Sequence, residues 1–309
     1  MQNILLALLP IFLLIALGYF FKRIKFPNEE FWQYADKFTY YVLFPSLLVY
    51  KLSTASLENV DGFNFILTAL LSILMLSVIL IIIDKFAFFF EGSAFTSVYQ
   101  GSIRFNTYVF LALTDAIYGD GGLVLAALLM TFLIPSINVF CIGIFSMYAS
   151  SDKVTFFSLI KSIVTNPLII ACVIGGALNY FDITIVAPLE KTLAILSLAA
   201  LPLGLLSVGV GLHIAHIKEV KLELFSAVFL KLALLPVIIF SMALSLGVTG
   251  LPLLILTLFG AMPTASSSYI LARELGGDLK LMSAIITVQT LLSIVSISAI
   301  LMILDSYQY

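Results

Sequence analysis

Long apolar stretches alternate with short polar breaks along the whole chain. A membrane-spanning helix needs about 20 mostly apolar residues. Ten stretches of the 309-residue sequence meet this requirement, at 3–21, 31–53, 62–83, 93–118, 122–148, 157–180, 188–212, 223–246, 250–275 and 279–304. Because a bilayer offers no hydrogen-bond partner to a free backbone amide, each stretch is expected to be helical. The pattern predicts an all-α polytopic membrane protein with ten transmembrane helices.

The composition excludes a soluble globular protein. Hydrophobic residues make up 62% and charged residues 10% of the sequence, whereas soluble domains have about 45–50% and about 25%. The net charge of −2 offers no basic surface for nucleic acid. Cys141 and Cys172 lie in apolar stretches without CxxC spacing, so neither a metal site nor another cofactor is expected.

The basic residues of the loops predict the orientation in the membrane. Ten of them fall on one set of alternate loops, namely Lys22, Arg23, Lys25, Lys85, Lys153, Lys161, Lys218, Lys221, Arg273 and Lys280. The opposite loops hold only Lys51 and Lys191. Since cytoplasmic loops carry an excess of Lys and Arg, we expect a multi-pass protein of the cell membrane with both termini on the non-cytoplasmic side.

A shift of 157 residues aligns the two halves of the sequence. The pairs that it superposes are Pro10 and Pro167, Gly18 and Gly175, Pro45 and Pro202, Asn106 and Pro263, and Gly119 and Gly276. Each half then holds five spans, and because five is odd, the second half enters the membrane upside down. We therefore expect a first five-helix repeat at 1–148, a short cytoplasmic linker at 149–156 and an inverted second repeat at 157–309.

Helix-breaking and polar residues lie at the centres of the fourth and ninth spans. Proline lacks an amide donor and clashes with the preceding turn, so Pro263 is expected to break the ninth span, and Pro45 and Pro202 the second and seventh. Two broken, crossing helices (spans 4 and 9) would then direct new N-termini, near Thr107 and Thr264, at the bilayer midplane. Free amides and the helix dipole make such ends anion sites.

These features predict a binding site for an anion. A permanently charged arginine binds a carboxylate bidentately, and hydroxyl and amide groups supply neutral hydrogen bonds. The expected substrate-binding residues are Arg104, Asn106, Thr107, Asn138, Pro263, Thr264, Ser266 and Gln289. Three alternatives stay open: Arg104 bonds carbonyls of the broken helix, Asn138 and Gln289 serve core hydrogen bonding, and the serines are small packing residues.

The inverted repeat is a plan shared by many secondary transporters. The spans lack a carboxylate at their centres, which restricts how such a transporter could couple its substrate to an ion. Carriers driven by protons or sodium usually keep such a group at depth. Asp36, nearer a span end, is one coupling candidate. Lys231, about ten residues inside the eighth span, is the other, although its long side chain can also snorkel to the interface.

At these residues the chain resembles the auxin efflux carrier family, which includes plant PIN transporters and bacterial malate and malonate carriers. The resemblance rests on the segment 9–19 with its following basic loop, on Phe44-Pro45 and Leu201-Pro202, on Asn106 and Pro263, and on Asn166-Pro167. It implies a ten-helix inverted repeat with spans one, two, six and seven as scaffold. The other spans would form a moving transport domain that binds a carboxylate-bearing substrate, in a homodimer surrounded by membrane lipid.

The expected function is a secondary transporter that moves small organic anions, such as malonate-, malate- or auxin-like carboxylates, by alternating access. A sodium-coupled symporter of the bile-acid type is the alternative, which uptake with and without a sodium gradient would separate. A membrane-embedded aspartyl protease using Asp120 and Asp278 is disfavoured. Neither residue has the full G-x-G-D motif, and the predicted topology places the two on opposite membrane faces.

Overall fold

The computed structural model describes residues 2–54, 62–149, 161, 164–213 and 222–307, and every regular element in these ranges is a helix. The α-helices are α1 Gln2–Arg23, α2 Glu29–Phe38, α3 Phe44–Ser53, α4 Gly62–Ile83, α5 Gly92–Ile103, α6 Thr107–Tyr148, α7 Pro167–Tyr180, α8 Ala187–Val210, α9 Leu222–Phe229, α10 Leu235–Ser245, α11 Gly250–Ala261, α12 Ser267–Leu275 and α13 Leu279–Tyr307. π-helical turns join α2 to α3 at Thr39–Leu43 and α9 to α10 at Leu230–Leu234, and a third, Asp84–Phe88, follows α4.

Several of these helices are long and apolar enough to cross a membrane. Within the described residues there are five such segments, Gly62–Ala87, Gly92–Tyr148, Ala187–Val210, Leu222–Ser245 and Leu279–Leu304. A straight helix of 57 residues, the length of the second segment, would extend roughly 85 Å, far beyond a bilayer core of about 30 Å. The chain is therefore an all-helical multi-pass membrane protein whose second segment must bend.

The second segment is interrupted twice. α5 ends at Ile103 and α6 begins at Thr107, with Arg104 in an extended conformation between them (φ −71°, ψ 158°). α6 turns again at Gly119, whose φ of 60° and ψ of −153° are accessible essentially to glycine alone. A matching interruption separates α11, which ends at Ala261, from α12.

The prolines of the second and seventh spans do not interrupt their helices. Pro202 lies inside α8, which continues to Val210, so the expected break there is absent. Pro45 occupies the first turn of α3 directly after the π-helical turn, and the backbone stays helical through the junction. A proline removes one helical hydrogen bond, and a membrane helix tolerates it where local adjustment or neighbouring helices satisfy the freed carbonyl. This corrects the prediction for both residues.

Two helix pairs pack with their backbones in close contact at related positions. A Cβ on Gly18 of α1 would lie 2.1 Å from the Leu206 carbonyl oxygen of α8. A Cβ on Gly175 of α7 would lie 3.1 Å from the Val49 Cα of α3. The same 157-residue shift relates Gly18 to Gly175 and Val49 to Leu206. Small residues at these contacts allow the close approach that membrane helices use to associate.

The core surrounds the ends of α5 and α11 that lead into the interruptions. Every residue from Phe95 to Ile103 is buried, as is every residue from Leu253 to Ala261. Polar groups on these two helices are thus shielded from solvent and need partners within the protein. The predicted linker 149–156 lies outside the described residues apart from Ala149, as do Lys153, Lys218 and Lys221.

Candidate functional site

The two helix interruptions are hydrogen-bonded to each other. The Asn106 amide donates to the Pro263 carbonyl at 2.7 Å. These are the two residues that the 157-residue shift superposes. Proline has no amide to return the bond, and the Asn106 carbonyl instead accepts from the Phe110 amide at 3.0 Å. The interruption before α6 and the one before α12 therefore meet at equivalent positions.

Asn106 also caps α6. Its Oδ1 accepts hydrogen bonds from the amides of Tyr108 at 3.1 Å and Val109 at 3.2 Å. This is the usual way in which an asparagine satisfies the free amides of a first helical turn. The side chain is 3% exposed. The capping explains why the helix restarts at Thr107.

Arg104 presents a positive charge that no carboxylate of the described residues neutralises. Its Nη1 donates to Asn138 Oδ1 at 2.9 Å and its Nη2 to Ser267 Oγ at 3.2 Å. The single ion pair among the described residues joins Lys51 to Asp120. The hydrogen bonds of Arg104 thus go to neutral side chains on α6 and α12, and not to carbonyls of the broken helix.

Two adjoining cavities lie beside these residues. The first has a volume of about 190 Å³ and is lined by Arg104 and Asn138 among others, and the second, of about 180 Å³, is lined by Asn106 and Ser266. The residues common to both are Tyr40, Thr107, Ala265 and Ser267. Pockets that hold drug-sized ligands measure about 300–1,000 Å³, so these cavities fit a smaller molecule.

Two buried polar atoms beside the cavities have no hydrogen-bond partner among the described residues. They are Arg104 Nε and Ser266 Oγ. Arg104 lines the first cavity and Ser266 lines the second. A buried polar atom without a partner is costly and rare in native proteins. A polar ligand in these cavities would supply what the two atoms lack.

Thr264 and Gln289 lie behind the cavities. Both are completely buried, and the Thr264 amide donates to Gln289 Oε1 at 2.9 Å. Gln289 Nε2 donates to the carbonyls of Gly101 at 3.0 Å and Ala227 at 2.9 Å. The Gly101 carbonyl belongs to the last turn of α5, where the interruption removes helical donors. One glutamine thus ties both interruptions to α9.

The structure brings most of the predicted residues together. Arg104, Asn106, Thr107, Asn138 and Ser266 line the cavities, whereas Pro263, Thr264 and Gln289 support them from behind. Two polar residues that line both cavities were not predicted as site residues, Tyr40 and Ser267. Ser267 stands in the run Ser266-Ser267-Ser268 beside Pro263, which marked the segment without showing which hydroxyl faces Arg104.

The two coupling candidates occupy different environments. Asp36 lines the second cavity, with its carboxylate near the Ser207 hydroxyl. Lys231 is 0% exposed and lines neither cavity. Its Nζ lies 5.2 Å from the ring centroid of Phe259, so the side chain points into the protein and does not snorkel to an interface.

A helical multi-pass fold with a polar cavity at paired helix interruptions is typical of membrane transport proteins. The family described as "Membrane transport protein" matches residues 3–301, and the chain belongs to this family, which is that of the auxin efflux carriers. The chain is 26% identical over 313 residues to the "Putative malonate transporter" of Rhizobium meliloti (strain 1021), covering 96% of this chain and 95% of the relative. The resemblance noted in the sequence is confirmed. The protein is a transporter of small molecules.

Proposed function

We propose that the protein is a secondary carrier that moves small organic anions, such as malonate or malate, across the cell membrane by alternating access. The observation that carries the proposal is that Arg104 lines a small cavity, forms no ion pair with a described residue, and lies beside buried polar atoms that lack hydrogen-bond partners. The name of the relative from Rhizobium meliloti supports a malonate-like substrate.

The Arg104 guanidinium is arranged to take a carboxylate. Nη1 and Nη2 donate hydrogen bonds to Asn138 and Ser267. The third nitrogen, Nε, has no hydrogen-bond partner among the described residues. In this proposal a carboxylate replaces the longer bond to Ser267 and also accepts from Nε, which gives the bidentate pair that arginine favours. Thr107, at the positive end of the α6 dipole, and the Ser266 hydroxyl lie at the same cavities and add neutral and dipolar contacts.

The remaining predicted residues are proposed to position this site. Gln289, Thr264 and Pro263 hold the two interruptions against each other through the bonds described above, and the cap of Asn106 fixes the start of α6. Asp36 and Lys231 remain the candidates for coupling transport to an ion.

The proposed architecture is a ten-helix 5+5 inverted repeat with crossing helices at the two interruptions. The related close contacts of Gly18 and Gly175, and the bond between the superposed Asn106 and Pro263, support it. In this arrangement α1–α3 and α7–α8 form the scaffold and the other helices form the moving transport domain. A homodimer in the cell membrane, with both termini outside, completes the proposal.

The experiment that tests the function compares Arg104→Gln with Arg273→Gln, an exposed arginine in the last turn of α12. Hydrogen bonds to charged groups contribute about 1.5–3 kcal/mol, so Arg104→Gln should weaken malonate binding about 10- to 100-fold in calorimetry of the purified protein. Arg273→Gln should bind like the wild type. Equal affinity of all three proteins for a ligand that the wild type binds would overturn the assignment of Arg104.

A further inference from the structure

Lys231 is a basic residue enclosed entirely by the protein. It lies in the π-helical turn Leu230–Leu234, is 0% exposed, and its Nζ has no hydrogen-bond partner in the part of the chain that the structure describes. The centroid of the Phe259 ring lies 5.2 Å from Nζ. An ammonium carries three donors and no acceptor. A protonated amine in this position would have lost its hydration, and the only attraction described above to offset that cost is the one to the face of the Phe259 ring.

The groups that could offset a charge on Lys231 are remote. The helices packed against its turn are α5, α9, α10, α11 and α13. Their titratable residues are Tyr99, whose hydroxyl donates to Ser77 at 2.8 Å, and Glu223, Lys280, Asp305 and Tyr307, with Arg104 capping α5. Glu223 precedes Lys231 by eight residues, about 12 Å of helix, and Asp305 stands in the last turn of α13. This conformation therefore accommodates the neutral amine.

Two aromatic rings in contact connect this amine to the cavity of Arg104. Phe259 packs edge-on against Phe105, with ring centroids 4.8 Å apart. Phe105 lines the cavity of Arg104 and is the residue next to it in the chain. The backbone of Arg104 and the ring of Phe105 thus link the cavity to the surroundings of Lys231.

Resting on the carrier function proposed above, we propose that Lys231 is the proton-binding residue that couples anion transport to the proton gradient. When an anion binds, Phe105 and Phe259 shift and the Lys231 amine takes a proton from cavity water. The protonated amine releases that proton to water on the opposite side. Arg104 and the protonated Lys231 together balance the two negative charges of a dicarboxylate. The loaded binding site therefore changes sides of the low-dielectric membrane without a net charge.

The test uses purified protein in liposomes with potassium salts only, radiolabelled malonate and a trapped pH-sensitive dye. The wild type should carry a proton inwards with each malonate and accumulate malonate when the outside is acidic. Lys231→Met, whose apolar side chain suits the apolar site, should still bind malonate but lose both proton entry and acid-driven accumulation. Lys51→Met, which removes the ion pair with Asp120, is the matched control and should keep both.

The possible failures are distinguishable. If the wild type takes up malonate without proton entry, or if Lys231→Met keeps the proton movement of the wild type, the role of Lys231 is overturned while the carrier function stands. If the wild type neither binds nor transports malonate or another small carboxylate, the carrier function itself fails. If Lys231→Met does not fold, the wild-type dye measurement can still overturn the proposal, because a carrier that moves malonate without proton entry needs no proton-binding residue. The ionisation of malonate is common to all variants and cannot produce a difference between them.

Discussion

The buried polar side chains at the interruptions serve two different purposes. Arg104 lines a cavity, and its Nε has no hydrogen-bond partner among the described residues. Gln289 is 0% exposed, and its side-chain amide forms hydrogen bonds with three backbone groups. A residue of the first kind should affect ligand affinity with little effect on stability. A residue of the second kind should affect stability first, because its loss leaves several buried backbone groups unsatisfied.

Replacing Gln289 by leucine tests the second kind. The change removes the partners of the Thr264 amide and of the Gly101 and Ala227 carbonyls, and each unsatisfied buried group costs about 1–3 kcal/mol. We expect a large fall in the melting temperature of the detergent-solubilised protein. Thr290→Val is the matched control, since Thr290 Oγ1 bonds only the Ile286 carbonyl of its own helix at 2.7 Å. Equal melting temperatures for the two variants would refute the positioning role.

Asn106 combines both purposes, and two substitutions separate them. Asn106→Asp keeps an oxygen that can accept from the Tyr108 and Val109 amides, so the α6 cap should survive. The added negative charge should repel a carboxylate in the adjoining cavity. We therefore expect near-normal thermal stability and a strong loss of malonate affinity. Asn106→Ala should instead lose about 1 kcal/mol of stability. Normal malonate binding by Asn106→Asp would place the anion elsewhere.

At the scale of the helices, the sequence predicted the interruptions well because local chemistry produces them. The Asn106 side chain caps a restarting helix, and Pro263 cannot continue the helix before it. The continuity of α8 through Pro202 could not be predicted in this way, because it depends on how the surrounding membrane helix adjusts. The location of Gln289 behind the cavities likewise depends on packing between α5, α9 and α13, which a single sequence does not reveal.

The contact between α7 and α3 offers a prediction with an adjacent control. A Cβ on Gly175 would lie 2.8 Å from Leu52 Cβ and 3.1 Å from Val49 Cα, whereas a Cβ on Gly176 would meet nothing within 4 Å. Gly175→Ala should push the helices apart and lower the melting temperature. Gly176→Ala should be neutral or slightly stabilising, because alanine favours the helix by about 1 kcal/mol over glycine. The opposite ranking of the two variants would contradict the packing described for α7.

At the scale of the whole molecule, a ring pair lies between two sets of cavities. Phe44 and Tyr108 stack with centroids 4.6 Å apart, and Gly204 packs against both rings. On α8, Ser207 and Val208 follow Gly204 and line the Asn106 cavity, whereas Leu201 and Pro202 precede it. Leu201 and Pro202, together with Lys51 and Asp115, line a separate cavity of about 540 Å³. The orientation of the chain decides which set faces the cytoplasm.

The loop charges predict that the Arg104 side faces the cytoplasm, and cysteine labelling of intact cells can check this. Thr184, between α7 and α8, and Glu30, near the start of α2, are both exposed and fall on opposite sides in the predicted topology. A membrane-impermeant maleimide should label Thr184→Cys in intact cells, and Glu30→Cys only after the cells are opened. The native Cys141 and Cys172 are buried, so the wild type gives a low background.

The reverse labelling pattern would show that the protein lies in the membrane in the opposite orientation. The Arg104 cavities would then open to the outside in this conformation and would exchange an anion with the external solution. The positive-inside rule acts through many loop charges, so one substituted loop residue should not itself change the orientation. Labelling therefore reports the native topology, and with it the side of the membrane from which Arg104 can be reached by substrate.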